Sequence, residues 1–161
     1  MKRFALALSF GLVAFVPSVA LAIPKVGAAA PNFTLPTATG KTFVLAALKG
    51  KPVYLNFFAS WCGPCNDEAP AIGKLDAKYH SKGLAIVGVD ELESAQKARG
   101  FLAEYHLPYV AAIDTDGKIA HDYGSPGLPT HVFIDRKGVV RLIRYGEMEP
   151  SDIETAIKSI L

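Results

Sequence analysis

The chain has 161 residues, half of them hydrophobic, which is enough for one well-packed domain and short for two of ordinary size. Of its 17 basic side chains, Lys2 and Arg3 are the only charges in residues 1–22; without them 15 basic side chains face 15 acidic ones. That balance, with no Lys/Arg stripe, removes the electrostatic case for a nucleic acid or an anionic membrane surface as partner.

Met1-Lys2-Arg3 is a basic start, and the run from Phe4 to Val19 is apolar with only Ser, Gly and Pro as interruptions. Ala20-Leu21-Ala22 puts small residues at the two positions a signal peptidase reads, so residues 1–22 are expected to be a cleaved signal peptide and 23–161 the working domain. An uncleaved membrane anchor is the competing reading; Pro17 and the A-x-A ending favour removal.

Ile23 to Pro31 reads as an extended tether with no burial pattern, and Asn32–Leu35 with Thr42–Leu45 as a small hairpin turning at Gly40. Val53 to Phe58 is almost continuously apolar, the pattern of a strand covered on both faces. A helix follows from Gly63 to Ser81, with Ile72, Leu75 and Tyr79 on its buried face, Pro70 as a kink and Gly83 as a left-handed cap. Leu84–Val89 is a second buried strand, Ser94 to His106 a helix, and Tyr109–Ile113 a third strand. Asp114-Thr115-Asp116-Gly117 is a turn before a short helix, Ile119–Tyr123, which Gly124-Ser125-Pro126-Gly127 ends. Thr130–Asp135 and Val139–Tyr145 form a hairpin, and Ser151-Asp152-Ile153-Glu154 has the capping-box pattern of a last helix burying Ile153, Ile157 and Ile160. Parallel strands with crossover helices, followed by an antiparallel hairpin, imply a three-layer α/β sandwich around a mixed sheet.

The two cysteines fall in Trp61-Cys62-Gly63-Pro64-Cys65, where a buried strand meets a helix. Unpaired N–H groups and the positive end of the helix dipole there favour a thiolate, which makes Cys62, in the first turn, the attacking sulfur. Cys65, one turn on and facing inward, is the resolving thiol. Gly63 permits close approach of a partner backbone, and Pro64 fixes φ where its missing N–H costs little. Zinc needs four ligands, and His80, His106, His121 and His131 form no second pair to complete a site, so no metal is expected.

WCGPC is similar to the thioredoxin active site, and APNFTLPTATGKTFVLAALKGKPVYLNFFASWCGPC resembles the TlpA/ResA-type extracytoplasmic thiol-disulfide oxidoreductases of bacteria, a resemblance that runs to the C-terminus. It implies a thioredoxin-like fold with helices on both faces of the sheet, disulfide exchange without a cofactor, and a redox-active disulfide between Cys62 and Cys65. It also implies a cis Pro129 in Gly127-Leu128-Pro129-Thr130 facing the cysteines, with the Leu128 backbone open to an extended substrate; an ordinary trans turn proline is the alternative. Thioredoxins carry a buried Asp where this chain has Asn56, which cannot take up a proton. The family's Glu three residues beyond the second cysteine matches Glu68, assigned to tune Cys65 and relay its proton; the competing reading is that its charge merely favours the helix start. Trp61 reads as a surface hydrophobe that shields Cys62 and meets partners, with plain packing as the alternative, and His131 as a strand histidine satisfied by its neighbours or lying near the site.

Cys-Gly-Pro-Cys resembles the reducing members, and the chain lacks the large helical insertion of the DsbA-type oxidants. The expectation is therefore a periplasmic, monomeric protein-disulfide reductase, fed by a membrane thiol transporter of the DsbD or CcdA kind. Its implied substrates are exported proteins such as apocytochrome c and copper-site assembly proteins. A peroxidase is the first rival, since the N-terminal half also resembles the redoxin and peroxiredoxin superfamily, but Ala59-Ser60-Trp61 does not supply the P-x-x-x-[ST]-x-x-C pattern. A copper carrier is the second, and its C-x-x-x-C spacing is absent.

Overall fold

The structure, a computed structural model, describes residues 23–161; the expected signal peptide lies outside the described residues. Its frame is a five-stranded sheet of order β5-β4-β3-β6-β7. In it β3 (Val53–Phe58), β4 (Ala85–Glu91) and β5 (Val110–Asp114) run parallel, and β6 (Thr130–Ile134) and β7 (Val140–Tyr145) return antiparallel. All six residues of the central β3 are buried, as its unbroken apolar run predicts.

Alternation along β3 divides the core in two. Tyr54 and Phe58 face a cluster with α1 (Gly63–Tyr79), α2 (Ala95–Glu104) and α4 (Pro150–Ile160), which turn in Ile72, Phe101, Ile153 and Ile157. Val53, Leu55 and Phe57 face Val87, Val89, Val132, Phe33 and Tyr123 on the other side. Among the described residues that second face has one short α-helix, α3 (Lys118–Asp122), and is completed by the N-terminal segment with its 3-10 turn, Leu45–Leu48, so the three layers are unequal.

Within that segment β1 (Thr34–Pro36) and β2 (Thr42–Val44) form the expected hairpin, with Gly40 at φ 81°. It is tied to the edge of the main sheet where the Ala38 N–H donates to the Ala111 carbonyl at 2.9 Å.

The residues before the hairpin are not a free tether. Gly27 N–H donates to the Val140 carbonyl (2.8 Å), Val140 N–H to that of Ala28 (2.9 Å), and Ala30 N–H to that of Gly138 (2.9 Å). This stretch blunts the edge beside β7 through backbone bonds alone, which no side-chain pattern announces. The last helix also starts differently from expectation. Pro150 is its first residue, Glu149 is the N-cap and no side chain caps it, because the rigid φ of Pro suits the first position and moves the start one residue ahead of Ser151. The third strand lies one residue later than expected, at Val110–Asp114, and α1 passes through Pro70 as one 17-residue helix before a 3-10 turn, His80–Lys82, and Gly83 at φ 90°.

On β4, Gly88 lets the Phe58 ring lie against the sheet: a Cβ there would sit 2.7 Å from the ring, which is itself packed on Phe101 at 4.6 Å between centroids. Gly88→Ala should therefore destabilise the fold by about 1–3 kcal/mol, seen as a lower denaturation midpoint with an unchanged denaturant slope; an unchanged midpoint would contradict the packing described.

Candidate active site

The C-terminal end of β3 leads through Ala59-Ser60-Trp61 into the first turn of α1, and Cys62 is the N-cap of that helix rather than a residue within its first turn. Its Sγ accepts a hydrogen bond from the Cys65 N–H at 3.2 Å, so the sulfur occupies the place a Ser or Asp oxygen takes at an ordinary helix start. Pro64 falls where a missing N–H costs nothing. Cys62 and Cys65 are joined in a disulfide and are 5 % and 3 % exposed. Trp61 beside them is 65 % exposed, and a Cβ at Gly63 would meet nothing within 4 Å.

Two side chains hold the loop that carries Cys62. Asn66 Nδ2 donates to the carbonyls of Cys62 (2.8 Å) and Ser60 (3.2 Å), and its own Oδ1 accepts from the Tyr105 hydroxyl at 3.1 Å. Glu93, from the loop after β4, accepts from the Ser60 N–H at 2.6 Å and the Ser60 hydroxyl at 2.8 Å. Sequence reasoning missed both; the signal available for Glu93 was its place just past the C-terminal end of a parallel strand, the edge where such sheets build sites.

The loop before β6 brings in the second group of expected residues. Leu128–Pro129 is a cis peptide bond. Thr130 pairs with Phe57, which places Pro129 beside the end of β3, and Leu128 packs against the cluster containing Cys62 and Cys65. The Pro129 carbonyl accepts from Gly146 N–H at 2.8 Å, whereas among the described residues the Leu128 backbone makes no hydrogen bond.

Below the disulfide lie polar groups. Glu68 is three residues past Cys65, on the same face of α1, and buried. Burial pushes its carboxyl up to about 7, with the charge of Glu147 adding to the effect and the Met148 N–H, which donates to Oε1, opposing it. Asp90, at the end of β4, is fully buried with neither oxygen partnered, and burial followed by the charge of Glu93 raises it to about 8. Asn56 is buried too, 3.4 Å through its Nδ2 from His131 Nδ1. His131 is in the core rather than at the surface of the site.

Residues 25–157 match the redoxin family, and the Cys-x-x-Cys pair sits where a thioredoxin-like sheet meets its first helix. The chain belongs to the redoxin family. Thiol-disulfide oxidoreductase ResA of Bacillus thuringiensis is 38 % identical over 136 residues, covering 84 % of this chain and 79 % of that protein. Among solved structures, a candidate thiol:disulfide interchange protein DsbE of Chlorobium tepidum is 36 % identical with a TM-score of 0.79, covering 85 % of this chain and 98 % of its own. A secreted Mycobacterium tuberculosis disulfide oxidoreductase homologous to Escherichia coli DsbE is 28 % identical with a TM-score of 0.73, covering 79 % and 95 %. This redoxin is a thiol-disulfide oxidoreductase with a thioredoxin-like fold.

In the folded redoxin Glu68 and Asp90 keep protons up to about pH 7 and 8, whereas the unfolded chain releases both near pH 4. These two groups bind more protons in the folded state and pull stability down as pH rises from about 4 to about 8, while His131, held near 4 by burial, opposes them below about 6.5, so the clearest decline falls between about pH 6.5 and 8. Denaturant unfolding of the oxidised protein across this range should show that decline. Glu68→Gln and Asp90→Asn should each flatten it; a wild-type slope of opposite sign, or variants that leave the slope intact, would contradict the assignment.

Proposed function

We propose that this redoxin is an exported reductant of protein disulfides in which Cys62 attacks and Cys65 resolves. The observation that carries this reading is the position of Cys62 Sγ at the start of α1, 3.2 Å from the Cys65 N, where the helix favours negative charge on sulfur. The Cys62 thiolate attacks a partner disulfide, one partner sulfur leaves as thiolate, and a mixed disulfide forms. Cys65 then loses its proton and attacks Cys62 Sγ; the second partner sulfur departs and the Cys62–Cys65 bond closes, so two electrons pass to the partner. Glu68 takes the Cys65 proton. Trp61, Gly63 and Pro64 on one side, and the Leu128 backbone with Pro129 on the other, receive the partner segment, the unbonded Leu128 groups pairing with it as an added strand.

Residues 1–22 direct export and are removed, leaving 23–161 as a monomer in the periplasm; the secretion of the similar M. tuberculosis oxidoreductase supports this. Electrons come from a membrane thiol transporter of the DsbD or CcdA kind, and the substrates are exported proteins such as apocytochrome c or copper-site assembly proteins. The reductive direction rests on the likeness of Cys-Gly-Pro-Cys to the reducing thioredoxins.

Cys62→Ser should abolish exchange, and Cys65→Ser should accumulate mixed disulfides with natural partners in an extract of the export compartment. The equilibrium potential of residues 23–161 in a defined thiol buffer should fall near the thioredoxin value of about −270 mV. A value near the −120 mV, roughly, of a strong oxidant would reverse the direction, and equal trapping by both variants would overturn the roles of the two sulfurs.

A further inference from the structure

Beneath the disulfide, three buried side chains from three elements meet: Glu68 on α1, Tyr54 on β3 and His131 on β6. His131 Nδ1 is 2.8 Å from the Tyr54 hydroxyl, while Nε2 is 3.1 Å from the Gly146 carbonyl and 3.5 Å from Glu68 Oε1. A carbonyl oxygen can only accept, so Nε2 must carry a proton. Burial holds the ring well below its ordinary range, near 4, so it is neutral and Nδ1 accepts from the Tyr54 hydroxyl. The tautomer is thus set by Tyr54 and Asn56 at Nδ1 and by Gly146 at Nε2.

The consequence falls on Glu68. Its Oε1 accepts from Met148 N–H, and the His131 Nε2–H, donated to Gly146, lies 3.5 Å from the same oxygen, while Oε2 is buried with no partner. We propose that His131, held as the Nε2–H tautomer by Tyr54 and Gly146, is a positioning residue whose N–H edge faces Glu68 Oε1 and so leaves Oε2 as the atom that exchanges a proton with Cys65. This rests on the reading of Glu68 as the group that takes that proton. In the resolving step the proton leaves Cys65 Sγ for Oε2, the sulfur's electron pair forms the bond to Cys62 Sγ, and the Cys62–partner bond breaks with its electrons on the departing sulfur. The proton later returns to the departed thiolate or to solvent. Other titratable groups face this cluster: Tyr109 ahead of β5, Glu147 beyond β7, and Arg144, the cross-strand partner of His131 on β7, whose guanidinium donates to the Ile143 carbonyl. None of them is hydrogen-bonded to Glu68 or His131 among the described residues.

The direct test is nitrogen NMR of the His131 ring in the whole reduced protein. The expected result is a neutral Nε2–H ring throughout pH 5–8; an Nδ1–H ring or an imidazolium within that range overturns the proposal. The functional test follows resolution as release of the coloured thiolate from a nitrothiobenzoate adduct on Cys62, as a function of pH. In wild type the rate should rise through a midpoint near 7, tracking Glu68. His131→Leu, which removes that nearby N–H dipole, should raise the midpoint by about one pH unit, because a carboxylate stripped of a positive edge beside it holds its proton more tightly. His131→Gln, which keeps an N–H, should restore it, and Tyr54→Phe, which removes one of the two donors to Nδ1 while keeping the ring, should raise it by less. If Glu68→Gln leaves the wild-type midpoint in place, the Glu68 reading fails and the proposal with it. If Glu68→Gln removes the midpoint while His131→Leu and Tyr54→Phe leave it where it was, the proposal alone fails.

Discussion

The arrangement depends on the junction between β3 and α1, where a strand buried on both faces ends and a helix begins within four residues. A helix start has N–H groups that its own backbone cannot satisfy, and here one of them is met by sulfur. That single substitution of sulfur for oxygen at an N-cap turns a structural requirement into a reactive group. The requirement is only met if the loop stays put. Asn66 pulls it from α1 itself and Glu93 from the loop after β4, so the position of Cys62 is set by its own helix and by one element besides it.

A second constraint runs underneath. The core below the disulfide holds Glu68, Asp90, Asn56 and His131, groups that a stability argument alone would replace with hydrocarbon. Their burial keeps Glu68 near neutrality, where a carboxyl can both give and take a proton at physiological pH. The cost in folding free energy is borne by the dense apolar packing on either side of β3, in which Tyr54 stacks on Phe133 at 4.5 Å and Phe57 meets Tyr123 at 5.5 Å.

Much of this was legible in the sequence because it depends on local rules. The run Val53–Phe58 announced the central strand and WCGPC its junction with a helix, each a matter of neighbouring residues and their allowed conformations, whereas the cis Pro129 was implied by the family resemblance. What escaped notice depends on residues far apart. The backbone bonds of Gly27–Ala30 to Gly138 and Val140 carry no side-chain signature, and the contact of Glu93 with Ser60 joins positions 33 residues apart. His131 could be read only as a strand histidine near the site or satisfied elsewhere, because its partner Tyr54 lies 77 residues away. Only the register of β3 against β6 brings the two together.

The claim on which the rest turns is that the start of α1 makes Cys62, and not Cys65, the thiolate. The most direct measurement is the rate of alkylation of each cysteine in the reduced protein as a function of pH, resolved by peptide mapping. The account predicts that Cys62 reacts with a midpoint below about 7.5 while Cys65 stays unreactive until higher pH. Two cysteines titrating together near the free-thiol value of about 8.5 would contradict it.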